Sequence, residues 1–419
     1  MHSHENWALG AIEMPGLIAT IGELVAIESC HGHEVAVQRR MADLLREIGM
    51  EVDEWDIDLD TLRKHPAYGA EIEREHAVGV VGRWGSGTGP TLILNGHVDV
   101  VPAGDLSRWT VPPFQATVRQ ARVYGRGAVD MKGPLCCALE AVRAIQRAGI
   151  TLGGTVVIQS VVGEEDGGLG TLATIQRGHT GDAAIILEPT ELMIAPAQAG
   201  ALSFRITIPG LAAHGALRTE GANPLESLPG LLYALEELET ERCARLAHPL
   251  FSDYEVPYAI CIGKVHGGVW ASTVPEALVL EGRYGVGIGE DLDAARAELE
   301  DAVETAAAED DWLVDHPPVV EWWGARFEPA AIAADHPLVT MLSSALESVT
   351  REVPVIRGMP YGADMHLLVN QGKVPTVLFG PGDVRVAHAP DEFVPIAELE
   401  VATRALVVAI LRYCGVAGG

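Results

Sequence analysis

Three short apolar runs, Thr91–Leu94, Thr155–Val162 and Ala183–Leu187, are separated by helical stretches, and each runs directly into a cluster of polar residues. Runs this short and this apolar read as strands buried on both faces, because a half-exposed strand would alternate apolar and polar side chains. Helical spacing over Ile12–Ile27, His33–Ile48 and Pro134–Ala148, the last two stopped by Gly49 and Gly149, supplies the covering layers. Strands alternating with helices predict an α/β fold with parallel strands.

The texture changes near Gly200. Ala201–Ile208 alternates, as a one-sided strand does, and Tyr258–Val265, Ala277–Tyr284 and Val319–Trp323 also read as strands. Pro224–Thr240 and Leu292–Ala308 read as helices. After Phe327 the α/β texture returns, with helix His336–Val349, strand Val374–Phe379 and helix Ile396–Tyr413. The expected organisation is one α/β domain, residues 1–199 and 326–419, interrupted by an inserted α+β domain, residues 200–325. The expected fold class is a mixed, mostly parallel sheet flanked by helices.

The chain carries 58 acidic and 29 basic side chains, a formal charge of −29. Phosphate binding needs a basic footprint, so nucleic acid is excluded as an expected partner, and an anionic membrane surface with it. No apolar run approaches the roughly 20 residues of a membrane span, and Met1–Gly10 does not read as a signal peptide. The six cysteines follow no disulfide or zinc-finger spacing, which fits a reducing cytoplasm.

Chemistry concentrates where the strands end. Asn95-Gly96-His97-Val98-Asp99 follows the first run, and His97 and Asp99, two apart, project to one side of an extended segment. A ligating histidine held by a neighbouring carboxylate uses that arrangement. Gly163-Glu164-Glu165-Asp166-Gly167-Gly168 follows the second run. Adjacent carboxylates at a strand end repel unless a dication neutralises them, and one can ligate while the other moves a proton. An exposed acidic turn is the alternative. Glu188 follows the third run. Asp130 sits in the glycine-bounded loop Gly125–Gly133, where an Asx turn also places aspartate. His388 lies in Ala387-His388-Ala389-Pro390-Asp391-Glu392. Two histidines and three carboxylates form a donor set that borderline-hard divalent metals accept. A dinuclear site needs one bridging carboxylate, for which Asp130 is the natural candidate.

With these five motifs in order, the chain resembles the family of acetylornithine deacetylase, succinyl-diaminopimelate desuccinylase, aminoacylase and carboxypeptidase G. The resemblance implies an aminopeptidase-like catalytic domain and an inserted lid that often forms a homodimer. It implies two divalent ions, usually zinc, with cobalt or manganese as substitutes. His97 and Glu188 would hold one ion, Glu165 and His388 the other, and Asp130 would bridge. Asp99 would orient His97, and Glu164 would be the general base. In the insert, His214 of Gly210-Leu211-Ala212-Ala213-His214-Gly215 would contact substrate and polarise its carbonyl. Arg283 matches a position that often holds a substrate carboxylate. Gly362 lies in Tyr361–His366, a segment resembling a pocket-lining loop. Relatives usually carry Asn where Thr273 stands and Ser or Thr where Ala363 stands, so neither is assigned a contact.

The implied activity is hydrolysis of a C–N amide bond in a small molecule, foremost deacylation of an N-acyl amino acid. A dipeptidase or carboxypeptidase, or hydrolysis of an unusual small amide or aryl amine, uses the same machinery. A non-catalytic small-molecule binder has no need of Glu164.

Overall fold

The computed structural model describes residues 3–30, 32–85 and 88–418. In chain order its main elements are α1 (Met14–Val25), α2 (Val35–Glu47), β1 (Glu51–Asp56), β2 (Val78–Gly85), β3 (Thr91–His97), α3 (Lys132–Arg147), β4 (Thr155–Val161), α4 (Leu169–Gln176) and β5 (Ala183–Ile186). There follow β6 (Gly200–Pro209), α5 (Pro224–Arg245), β7 (Ile260–Gly267), β8 (Ala277–Val286), α6 (Leu292–Ala308) and β9 (Val319–Phe327). The chain ends with α7 (Pro337–Thr350), β10 (Thr376–Leu378) and α8 (Ile396–Cys414).

Two compact units result, 1–197 with 331–358 and 363–419, and 198–330 with 359–362. The four residues Met359–Gly362 had been expected to stay with the catalytic part. They associate with the inserted unit because Ala199 N–H donates to the Met359 carbonyl at 2.8 Å and Arg283 Nη2 to the Pro360 carbonyl at 2.9 Å.

The first unit is built on a six-stranded sheet in the order β1-β2-β4-β3-β5-β10. β4, β3, β5 and β10 run parallel, whereas β1 and β2 pair antiparallel. β3, β4 and β5 carry no exposed residue, which is why their sequences show no alternation. The antiparallel strands β1 and β2 were not anticipated. Glu51-Val52-Asp53-Glu54-Trp55-Asp56 is a charged edge strand whose partner covers only one side, so it lacks the apolar signature of its neighbours. α3, α7 and α8 pack together, with α3 and α8 against β3, and α2 packs against β1 and β2. Cys136 and Cys137 are buried in α3 as small core residues, and all six cysteines are free.

The second unit is an antiparallel sheet, β7-β8-β6-β9, with α5 and α6 packed together. Alternate residues of β6, Leu202, Phe204, Ile206 and Ile208, enter one core with Leu280, Tyr284, Leu231, Leu235, Leu299 and Val303. The helices start where the chemistry of the caps dictates. Asn223 Oδ1 accepts Leu225 N–H at 3.2 Å ahead of Pro224, and Asp291 Oδ1 accepts Asp293 and Ala294 N–H at 3.1 and 3.0 Å. Among the described residues no single helix is long and apolar enough to cross a membrane.

Candidate active site

The parallel register brings the strand ends together. His97, the last residue of β3, lies opposite Val161, the last of β4. Glu164 and Glu165 follow β4 in a tight turn, and Glu188 follows β5 by two residues. The turn depends on Gly167. Its φ is +134°, and a Cβ there would lie 1.9 Å from the Gly69 carbonyl oxygen, so no side chain fits. Asp130 arrives from the loop leading into α3. His388 comes from the loop before Phe393 with a left-handed φ of +59°, a conformation that persists in a non-glycine residue only where surrounding contacts enforce it.

All five expected ligands meet. His97 Nε2 lies 3.1 Å from Asp130 Oδ1 and 3.8 Å from Glu164 Oε2. His388 Nε2 lies 3.0 Å from Glu165 Oε2 and 3.4 Å from Asp130 Oδ2. Asp130 therefore presents one oxygen to each histidine. Donor atoms of His97, Glu164 and Glu188, and of His97, Asp130 and Glu165, lie within 4.8 Å of one another. His97, Asp130, Glu164 and Glu188 are buried, whereas the His388 side chain is 53% exposed.

Asp99 is placed differently from expectation. His97 Nδ1–H donates to the backbone carbonyl of Asp99 at 2.9 Å, while the Asp99 carboxylate stands 3.6 Å away. That carboxylate instead accepts the N–H of Glu165 at 3.1 Å. The carbonyl contact commits Nδ1 as a donor and turns Nε2 toward the cluster.

The electrostatics demand a counter-charge. Burial, and then the charge of Glu188, push Glu164 well above the usual carboxylate range. Burial and Asp130 do the same to Glu188, and to a lesser degree to Glu165. Asp130 is the exception. Burial works against its charge, but hydrogen bonds from His388 and His97 hold it below the usual range. Glu188 Oε1 is buried with no hydrogen-bond partner. A buried, orphaned carboxylate oxygen in a cluster that also holds His97 and Glu164, next to the His97, Asp130 and Glu165 group, fits divalent cations, which would satisfy the oxygen and relieve the repulsion.

Several residues escaped the sequence reading. Asp364 is fully buried, accepts Thr171 Oγ1–H at 2.5 Å, and is pushed up to about 7 by burial. Its charge acts on both Glu164 and Glu188. Arg74, Asp166, Arg126 and Glu392 form buried ion pairs behind the ligands. Asp166 and Glu392 stood inside recognised motifs, but nothing local marks a carboxylate as buried.

The remaining expected residues lie in the second unit. His214 is exposed, and its Nδ1 accepts the Ala216 N–H at 3.2 Å. The two glycine-rich segments of this unit meet, since Gly215 N–H donates to the Ser272 carbonyl at 2.6 Å and Val274 N–H to that of Ala213 at 2.9 Å. Arg283 is half-buried on β8 and makes no ion pair with a carboxylate among the described residues. Gly362 abuts Phe327, where a Cβ would come within 2.4 Å of the phenylalanine Cβ.

The model of Peptidase family M20/M25/M40 matches residues 93–412. The N-formyl-4-amino-5-aminomethyl-2-methylpyrimidine deformylase of Bacillus subtilis (strain 168) is 30% identical over 396 residues, covering 90% of this chain and 89% of the relative. A probable succinyl-diaminopimelate desuccinylase of Staphylococcus epidermidis is 27% identical over 400 residues, covering 90% and 92%. Among solved structures, a dinuclear metal binding peptidase of the M20 family from Bacillus subtilis superposes with a TM-score of 0.61 at 17% identity, covering 96% of this chain and 98% of that one.

Proposed function

The chain belongs to peptidase family M20/M25/M40 and is a metallohydrolase of C–N amide bonds in small molecules, and from that premise we propose that it removes the acyl group from an N-acyl amino acid. The observation that carries the chemistry is the division of Asp130 between His97 and His388, with Glu164 alongside. His97 and Glu188 would hold one ion and Glu165 and His388 the other, with Asp130 offering one oxygen toward each. We assign zinc, with cobalt or manganese able to substitute.

Bound ions would supply Lewis acidity, polarising the scissile carbonyl and lowering the pKa of the attacking water toward about 7. Glu164 is the proton carrier. Its carboxylate accepts the proton of the attacking water and delivers it to the departing nitrogen, so the amine leaves neutral. Glu164, raised in the metal-free fold, would be lowered by neighbouring positive charge, which would make its basic form available. Glu165 cannot exchange roles with Glu164, because its carboxylate is engaged by His388. His214 donates a hydrogen bond to the carbonyl oxygen as charge develops there. Arg283, which makes no ion pair with a carboxylate among the described residues, holds the carboxylate of the amino acid. Gly362 belongs to the same substrate-binding set.

A second reading, release of formate from the amide of a small heterocyclic amine, is favoured by the 30% identity to the deformylase. A panel of N-acetyl, N-succinyl and N-formyl amino acids, dipeptides and N-formylated aromatic amines separates the readings. The acyl-amino-acid assignment requires the highest kcat/KM on a substrate with a free α-carboxylate. Preference for a formylated neutral amine would replace it with the second reading, and preference for dipeptides with a peptidase. We further assign a homodimer formed through the inserted unit, on the family resemblance alone, together with no nucleic-acid or membrane partner, supported by the net charge of −29, and a cytoplasmic setting, supported by the six free cysteines.

A further inference from the structure

Behind the ligands lies an ion pair that touches three of the segments carrying them. Glu392 and Arg126 are each 1% exposed, and Glu392 Oε2 pairs with Arg126 Nη1. The other carboxylate oxygen, Oε1, accepts three backbone N–H groups, those of Gly127 at 2.9 Å, Val129 at 3.0 Å and Asp130 at 3.2 Å. Arg126 Nη2 donates to the Pro102 carbonyl at 3.2 Å, in the chain leaving His97 and Asp99. Glu392 is itself four residues beyond His388. The main chain reinforces the link, since Gly125 N–H donates to the Glu392 carbonyl at 2.9 Å and the strand Phe393–Pro395 pairs with Arg122–Tyr124.

Three N–H groups converging on one oxygen form a cradle for an anion. The cradle ends on the amide of Asp130, the residue whose two carboxylate oxygens point to different histidines. Fixing that amide limits the torsions by which the side chain can swing toward one histidine and away from the other. The same glutamate terminates the loop that keeps His388 in a left-handed conformation, with Asp391 accepting Thr110 N–H and Oγ1–H, both at 2.8 Å. Stability alone does not account for the pair, because an apolar pair of similar volume avoids the desolvation penalty of two buried charges.

We propose that Arg126 and Glu392 are positioning residues that set the bridging geometry of Asp130 and register the His388 loop to it, and so determine whether the second cation, the one held by Glu165 and His388, is retained. The proposal rests on the two-ion reading of the site. Neither residue belongs to the set assigned to the cations or to substrate.

The test uses the full-length protein and the variants Glu392→Gln, which keeps the shape but not the charge, and Arg126→Lys, which keeps the charge but not the fork. Metal-free wild type and variants are titrated with zinc against a chelator, and with cobalt by its visible absorption. Amide exchange over residues 125–131 is followed in the metal-free protein. Wild type should bind two ions. Glu392→Gln should hold the first with near-native affinity, bind the second at least about tenfold more weakly, lose the cobalt bands of the second ion, and exchange the 127–130 amides faster. Arg126→Lys should fall between the two. If Glu392→Gln does not fold, Arg126→Lys carries the test through the same measurements. Native affinity for both ions and native exchange in the folded variants would overturn the proposal. A wild type that binds fewer than two ions would instead sink the two-ion reading, and the metal-free exchange data would still judge the cradle.

Discussion

The carboxylate of Asp99 accepts the backbone N–H of Glu165 at 3.1 Å, joining the segment after β3 to the acidic turn after β4. One aspartate thus holds the His97 segment and the Glu164–Glu165 turn in a fixed relation, through its carboxylate on one side and its carbonyl on the other. Asp99→Ala should weaken metal binding by about 10- to 100-fold, the usual loss on removing a group that orients ligands. Chelator competition measures it, and unchanged affinity would mean that the turn holds its shape without Asp99.

Glu164→Ala should retain both ions, because His97, Asp130 and Glu188 remain, yet lower kcat by about 10²–10⁴-fold. Metal content by elemental analysis is compared with turnover on the same sample. A variant that keeps near-native kcat removes Glu164 from the proton-carrying role.

Zinc should stabilise the protein more at about pH 7.5 than at about pH 5.5. Glu164 and Glu188 have raised values in the metal-free fold, so their contribution is complete below the unfolded value and is lost as pH rises through the folded one. His97 and His388 are also raised: burial alone would lower them, but hydrogen bonds to Asp130 and, for His388, Glu165, together with the surrounding carboxylate charges, outweigh it, so their contribution persists through neutrality and is lost only at higher pH. Asp130, lowered, stays ionised throughout this window. As ligands, Glu188, His97 and His388 must release protons before cations bind, so the gain in melting temperature on adding zinc grows with pH. An equal or smaller gain at the higher pH contradicts the ligand set.

Arg74 grips Asp166 with two hydrogen bonds of 2.8 Å and reaches Glu34 Oε1 at 2.9 Å, all three side chains being buried. Arg74→Met leaves two carboxylates buried without their partner. It should cost about 3–5 kcal/mol of unfolding free energy, read by denaturant titration of the metal-free protein. Asp166 is two residues from Glu164, so kcat should fall as well.

Arg283→Met should raise KM on substrates with a free carboxylate by at least about tenfold, as loss of a charge-assisted pair does, and leave KM on neutral amides nearly unchanged. Equal effects on both classes would show that Arg283 does not hold the carboxylate.

Much of this protein is legible in its primary structure because the informative positions are local. A strand buried on both faces has to be continuously apolar, so β3, β4 and β5 declare themselves, and the polar residues that interrupt them, His97, Glu164, Glu165 and Glu188, stand out at once. Alternation in Ala201–Ile208 likewise announces a one-sided sheet. The edge strand β1 stayed hidden because half of its surface meets water and its charges are tolerated there. What only the folded chain decided concerns residues far apart in sequence. Whether Glu392 is a surface charge or the cradle of the Asp130 loop depends on a contact spanning 262 residues. The orienting partner of His97, a carbonyl rather than a carboxylate, depends on a backbone course that no spacing rule encodes. Burial, and with it the charge state of every carboxylate in the site, arises only when separate segments converge and exclude water between them.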